Sequence, residues 1–382
     1  MKRINSIDFA RGLVMVIMAL DHTRDLLHTT ALTQNPLNLA TTTPILFFTR
    51  WVTHFCAPTF VFLSGTSAFI SFKSKNNLAA SRKFLLTRGL WLILLEFTLV
   101  TFALWADIHF QFFFFEVIAT IGFGFIILGL LLNLPSRVIL VIGLAIMALH
   151  NLVPVPPMQP GPTTITATSV LSPFFNMAFF PGTHNFAMAY PPIPWLGIML
   201  TGFGIGPLFQ LPVEKRRPVF LKIGLASLAL FVIVRFINGY GDPNPWEPQH
   251  NGLYTFLSFL NVTKYPPSLD FCLLTLGALF VWLYVFEGIE NRFTAILDIY
   301  GKVPLFYFII HLYIIHLTLF LILSLQGIKT SEWVFGTNFG RPANAPSGVS
   351  LGAVYLIWLS IVALLYPVCR WYGRYKQNHR EK

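Results

Sequence analysis

The sequence predicts an all-α polytopic integral membrane protein, a helical bundle of about ten transmembrane helices. Three observations carry this expectation. Of the 382 residues, 55% are apolar and only 11% charged, where a soluble domain carries about 25% charged residues. Apolar runs long enough to cross a bilayer recur along the whole chain, and the mean hydropathy is +0.67. The basic residues collect in alternate connections between those runs.

A helix needs about 20 apolar residues to cross the hydrocarbon core. Such runs lie at about 9–28, 51–72, 84–106, 110–132, 137–153, 193–211, 219–238, 268–287, 303–326 and 349–369. The first starts among Asp8 and Arg11 and ends in Asp21, His22, Arg24, Asp25 and His28. Its start, Met1-Lys2-Arg3 before an apolar run, imitates a signal peptide. Asp8 and Arg11 interrupt that pattern, and Asp21-His22-Thr23-Arg24 stands where small residues would be cleaved, so an uncleaved span is expected. The second run opens with Trp51 and His54, next to Arg50. Glu96 lies mid-way in the third and Glu116 early in the fourth. The fifth is short, and the sixth and tenth are rich in Pro and small residues. The eighth has Asp270 near its start, and the ninth holds His311 and His316.

Ten spans put both termini on one side. With the N-terminus cytoplasmic, the inner segments hold Lys2, Arg3, Lys73, Lys75, Arg82, Lys83, Arg137, Lys215, Arg216, Arg217, Arg292, Lys302, Arg370, Arg374, Lys376, Arg380 and Lys382. The outer ones hold Arg50, Lys264, Lys329 and Arg341. The ratio is 17 to 4, as the positive-inside rule requires. This explains the net charge of +11 without nucleic acid as a partner. No soluble domain fits between the runs, so 1–382 is read as a single transmembrane domain of a bacterial-type inner membrane, with a homodimer left open. The long outer loops, about 29–50, 154–192, 239–267 and 327–348, carry Pro, Gly, Asn, Trp and Tyr, as in PNPWEPQHNGLY. Aromatics with Asn, Gln and His suit a glycan surface; they equally suit the membrane interface. Cys56, Cys272 and Cys369 fall in apolar runs with no CxxC or Cys/His spacing, and no zinc or other metal site is expected.

A charge near a helix centre costs about 2.5–3.5 kcal/mol on insertion scales, so a cluster at this depth needs a reason. On a helix, Asp21, Asp25 and His28 at i, i+4, i+7 share one face. A carboxylate beside a histidine fixes its tautomer and raises its basicity, which suits a general base. The bland alternative is a set of headgroup-level ion pairs. Loop 29–50 brings His54 toward His28. With Arg24, Arg50, Trp51, Glu116 and His311, these residues point to a polar cavity open to the outer side. The inner cations Arg88, Arg82 and Lys83, with Arg11, are candidates for the phosphates of an acyl-CoA, against the bland reading that they only set topology. No GxSxG elbow, Walker loop or HExxH is present.

The opening RINSIDFARGLVMVIMALDH resembles the first-span signature of the heparan-α-glucosaminide N-acetyltransferase catalytic-domain family, in its bacterial branch long labelled a domain of unknown function. Further similarity runs through LFFTRWVTHFCAPTFVFLSGTSAF, PPIPWLGIMLTGFGIG, NVTKYPPSLDFCLLTLG, GKVPLFYFIIHLYIIH and YPVCRWYGRYK, nearly the full length. The resemblance implies a membrane acyltransferase, with acetyl-CoA donating from the cytoplasmic side and a glucosamine amine accepting on the far side. It also implies key roles for an asparagine at the end of the first span and a histidine beyond it. Counted from Arg11-Gly12, the asparagine position falls on His22, and the nearest candidate for the histidine is His28. The expected function is transfer of an acyl group, expected to be acetyl, to a sugar amine or hydroxyl of an envelope glycan. His28, supported by Asp25 and Asp21, would be the base or acyl carrier, and His22 and His54 would polarise the thioester or position the acceptor. The alternative is a transporter or flippase for a polar or lipid-linked solute, although paired broken helices in two inverted halves are not evident.

Overall fold

The computed structural model describes residues 4–153 and 167–379. Lys2, Arg3, Arg380 and Lys382 of the inner charge count, and 154–166 of the loop 154–192, lie outside them. The described chain is a helical bundle, and each expected run has a helical counterpart. α1 (Asn5–Leu27) has 23 residues, about 34 Å at 1.5 Å per residue, enough to cross a core about 30 Å thick. α2 (Pro44–Trp51) passes through a 3-10 turn, Val52–Phe55, into α3 (Cys56–Lys75). α4 (Leu78–Leu95) continues through a π-helical turn, Glu96–Val100, into α5 (Thr101–Trp105). β1 (Phe112–Phe115) then leads to α6 (Val117–Leu131) and α7 (Ser136–Leu149). α8 (Ala167–Phe175), β2 (Ala178–Phe180) and β3 (Asn185–Met188) precede α9 (Pro192–Gly204) and α10 (Val213–Ile237). The remainder is α11 (Gly252–Leu260), α12 (Leu269–Phe286), α13 (Arg292–Lys302), α14 (Pro304–Leu325) and α15 (Leu351–Asn378).

Among the described residues, seven helical stretches are long and apolar enough to span a membrane: Pro44–Lys75, Leu78–Trp105, Pro192–Gln210, Val213–Ile237, Leu269–Phe286, Pro304–Leu325 and Leu351–Asn378. Val117–Leu131 and Ser136–Leu152 are apolar but shorter, and α1 is long but ends in a run of charges. Length and composition therefore single out seven spans among the described residues and do not confirm the expected count of about ten. The expected run 110–132 is not one helix. Its four phenylalanines form β1, in a three-stranded sheet of order β1-β3-β2, with β1 parallel and β2 antiparallel to β3. Aromatic side chains favour the extended backbone, and the helix starts only after Glu116.

α1 is the hub, packed against α3, α12, α13, α14 and α15. Its charges therefore face protein. Asp8, Asp21 and Arg24 are buried. The approach to α13 is backbone against backbone: a Cβ on Gly301 would stand 1.8 Å from the Asp8 carbonyl oxygen, and one on Gly12 would stand 1.9 Å from that of Leu297. Only glycine fits either position. The π turn in the third span sets the Glu96 carboxylate beside the start of α6, where it accepts from the Ala119 amide at 2.9 Å. A buried acid is thereby satisfied at a helix N-terminus. At the other face, Arg216 pairs with Glu287 at 2.6 Å, and Ser6 donates to the same carboxylate at 2.6 Å.

Candidate active site

Among the described residues, two of the cavities meet along α1 and α3. The first, about 310 Å³, lies at the C-terminal end of α1, the face predicted to be outer, and is lined by Asp21, His22, Asp25, Arg50, Glu116, Tyr190, Lys264 and Tyr265. The second, about 500 Å³, is lined by Arg11, Arg88, Lys302 and Lys376, by Ser64, Ser67 and Ser71 from α3, and by apolar side chains. Met18, Phe60, Val117 and Phe308 line both, so one layer of apolar side chains separates them.

His22 of the outer cavity and the buried His311 behind it form a chain with defined proton positions. His311 Nδ1 lies 2.9 Å from the carbonyl oxygen of Tyr307. A carbonyl only accepts, so in the neutral ring Nδ1 carries the proton and Nε2 is a bare acceptor. His22 Nδ1 lies 2.7 Å from that Nε2 and must be the donor. His22 Nε2 is left unprotonated, without a protein partner among the described residues, on a side chain that lines the cavity. The rings stack at 5.0 Å. Among neutral tautomers, this one presents a lone pair where a substrate proton would be.

The acids are held by guanidinium groups. Asp21 accepts from Arg50 at 2.5 Å and from Arg24 at 3.0 Å, and Asp25 accepts from the same Arg24 nitrogen at 2.5 Å. Arg24, 3% exposed, thus ties two carboxylates of successive turns together behind the wall. Glu116, just ahead of α6, lines the cavity on the side opposite in sequence.

Several predicted residues stand elsewhere. His28 does not line the cavity. α1 ends at Leu27, and His28 is already extended at φ −69°, ψ 139°, so the i+7 spacing from Asp21 no longer places it on the helix face. Its ring bonds Thr30 at 3.0 Å. Its carbonyl accepts from Arg341 at 2.9 Å, and its neighbours Leu27 and Thr29 exchange backbone bonds with Val349. Burial, with Arg24 and Arg341 nearby, holds its imidazole below the ordinary histidine range. His54 is buried against Phe271 at 5.6 Å, and neither of its ring nitrogens has a partner among the described residues. It meets neither His22 nor His28, although its neighbours Thr53 and Cys56 line the cavity. Trp51 turns its indole to the Leu260 carbonyl at 2.9 Å.

Of the predicted phosphate binders, Arg88 and Arg11 line the inner cavity, and Arg11 also donates to Leu63 O at 3.0 Å and to the Ser67 hydroxyl. Arg82 instead donates to the Gly129 carbonyl at 3.1 Å, and Lys83 is exposed on another face of α4. Helical periodicity separates them, with residues 84, 85, 88 and 92 facing the cavity. Sequence reasoning missed Lys264, Tyr190 and Tyr265 at the outer cavity and Lys302 and Lys376 at the inner one. For Lys264 a signal existed, since it is one of only 4 cations outside.

A family model described as heparan-alpha-glucosaminide N-acetyltransferase, catalytic, matches residues 3–235, more than half of the 382. No curated protein matches the chain. The matched stretch holds Asp21, His22, Arg50 and Glu116 of the outer cavity and Arg11 and Arg88 of the inner one. This chain belongs to the heparan-alpha-glucosaminide N-acetyltransferase catalytic family, a family of membrane acyltransferases.

Proposed function

We propose that the protein transfers an acyl group, acetyl in the family's pattern, from acyl-CoA in the inner cavity to an amine or hydroxyl of a sugar in the outer one. The observation that carries this reading is the shared wall: among the described residues, Met18, Phe60, Val117 and Phe308 line both a cavity with cations and serines and a cavity with a bare histidine nitrogen. Arg88, Lys302 and Lys376 suit the phosphates of CoA, and Ser64, Ser67, Ser71 and the apolar lining suit its pantetheine arm. The thioester then reaches the wall while the acceptor waits beyond it. His22 Nε2 takes the acceptor proton as the nitrogen or oxygen attacks the thioester carbon, and returns it to the leaving thiolate. His311 keeps the tautomer, and the carboxylates of Asp21 and Asp25 favour the imidazolium that forms between the two steps. A thioester is already activated, so a positioned base contributing about 10²–10⁴-fold plus proximity suffices.

Within this reading the chain is one catalytic domain with cytoplasmic termini in a bacterial-type inner membrane, and its acceptor is an envelope glycan. The test is calorimetry with acetyl-CoA and free CoA on purified protein in detergent. Micromolar binding that weakens in Arg88→Ala is expected. Failure of folded protein to bind either ligand removes the acyltransferase reading and turns attention to transport of a polar solute.

A further inference from the structure

Lys264 is the least expected residue of the outer cavity. It stands on the outer loop 239–267, is 8% exposed and lines the cavity with His22. Its Nζ lies over the faces of Tyr265 at 5.0 Å and Tyr190 at 5.7 Å. Among the described residues it makes no ion pair and no side-chain hydrogen bond, although Glu116, Asp21 and Asp25 line the same cavity. The other deeply placed cations of this face are consumed by structure. Arg24 and Arg50 hold Asp21, Arg235 donates to the carbonyls of Phe259, Asn244, Ser258 and Asn261, and Arg341 holds His28 and Ser347. A buried ammonium resting on two aromatic faces is held in place yet keeps its N–H donors unspent. Such a group is suited to a charge that exists only during reaction.

Resting on the acyltransferase reading, we propose that Lys264 is a catalytic residue that stabilises the oxyanion of the tetrahedral intermediate. As the acceptor nitrogen or oxygen bonds to the thioester carbon, the carbonyl π pair moves onto oxygen, and Lys264 Nζ–H donates to it. His22 Nε2 holds the acceptor proton. On collapse the carbonyl re-forms, the C–S bond breaks, and the CoA thiolate takes the proton from His22. Lys264 keeps its own protons throughout and returns to the tyrosine faces.

The experiment uses the full chain in detergent with acetyl-CoA as donor and glucosamine or water as acceptor, comparing wild type with Lys264→Met, Lys264→Gln and Lys264→Arg. A loss of about 10²–10³-fold in kcat is expected for Met and Gln. Both KM values and acetyl-CoA binding are expected within threefold of wild type, and Arg is expected to recover at least tenfold over Met. A rise in acceptor KM at unchanged kcat would make Lys264 an acceptor anchor and overturn the assignment. So would equal losses in all three variants accompanied by a lowered melting temperature, which would mark a structural role. Transfer by wild type with full activity in Lys264→Met overturns this assignment alone. Absence of transfer by wild type to either acceptor overturns the acyltransferase reading, and this assignment with it.

Discussion

Replacing His311 by leucine tests the proton chain at the point where it is most defined. His311 touches no substrate in this account and acts only through His22, whose Nδ1–H it accepts at 2.7 Å. Leucine fills similar space but leaves that N–H without a partner, a cost of about 1–3 kcal/mol for a buried donor. If the neutral His22 responds by moving its proton to Nε2, the lone pair facing the cavity is lost. At 1.36 kcal/mol per tenfold, the expected fall in kcat is about 5- to 160-fold. His22→Ala removes the base itself and is expected to cost about 10²–10⁴-fold. Because one residue works through the other, the double variant should be no slower than His22→Ala alone. Glutamine at 311, whose amide oxygen can accept, should restore part of the loss. The assay is steady-state acetylation of glucosamine from acetyl-CoA by purified protein. A His311→Leu variant with wild-type kcat, or losses that multiply in the double variant, would refute the chain as drawn.

Other consequences are more local. His28→Ala is expected to retain kcat within tenfold of wild type, because that ring bonds Thr30 outside the cavity; the same steady-state assay checks it. Arg341→Ala removes donors to His28 O, Ser347 Oγ and Ser347 O and should lower stability by about 2–4 kcal/mol, read as a fall in melting temperature with kcat preserved in the folded fraction. Arg88→Ala should weaken acetyl-CoA binding about 10- to 100-fold, the worth of about one charged hydrogen bond, while Lys83→Ala leaves it unchanged; calorimetry separates them. Gly301→Val places side-chain carbon where the Asp8 carbonyl already stands and should fail to yield monodisperse protein in detergent gel filtration.

The helical bundle was legible because lipid imposes a length and a polarity on every span, and both are written in the order of residues. The runs at 51–72 and 84–106 needed nothing more. The run at 110–132 misled, because Phe112–Phe115 are as apolar as any span, and hydropathy carries no sign of the strand that pairs them with Asn185–Met188. At the site, Asp21, His22, Asp25, Arg50 and Glu116 could be read as a cavity because charge at that depth has to be sheltered. His28 was drawn in by helical spacing carried one residue beyond the last turn of α1, and a helix end is where such spacing stops being informative. The role of His311 beneath His22 rests on contact between residues 289 apart, which no local pattern encodes. The outer cations Lys264 and Arg341, which became buried, and Arg50, which is half-buried, were exceptions to the charge bias. An exception to a rule this strong marks a residue held there by something other than topology.

In the proposed mechanism, acyl donor and acceptor meet across one layer of side chains from opposite faces of the membrane. The most direct measurement is transfer in sealed proteoliposomes with protein of determined orientation, acetyl-CoA outside and glucosamine trapped within. N-acetylglucosamine is expected to accumulate in the lumen while free CoA appears outside, and Arg88→Ala and His22→Ala are each expected to suppress both. Product formed only when donor and acceptor share a compartment, or acetyl-CoA that enters intact, would contradict the proposed mechanism.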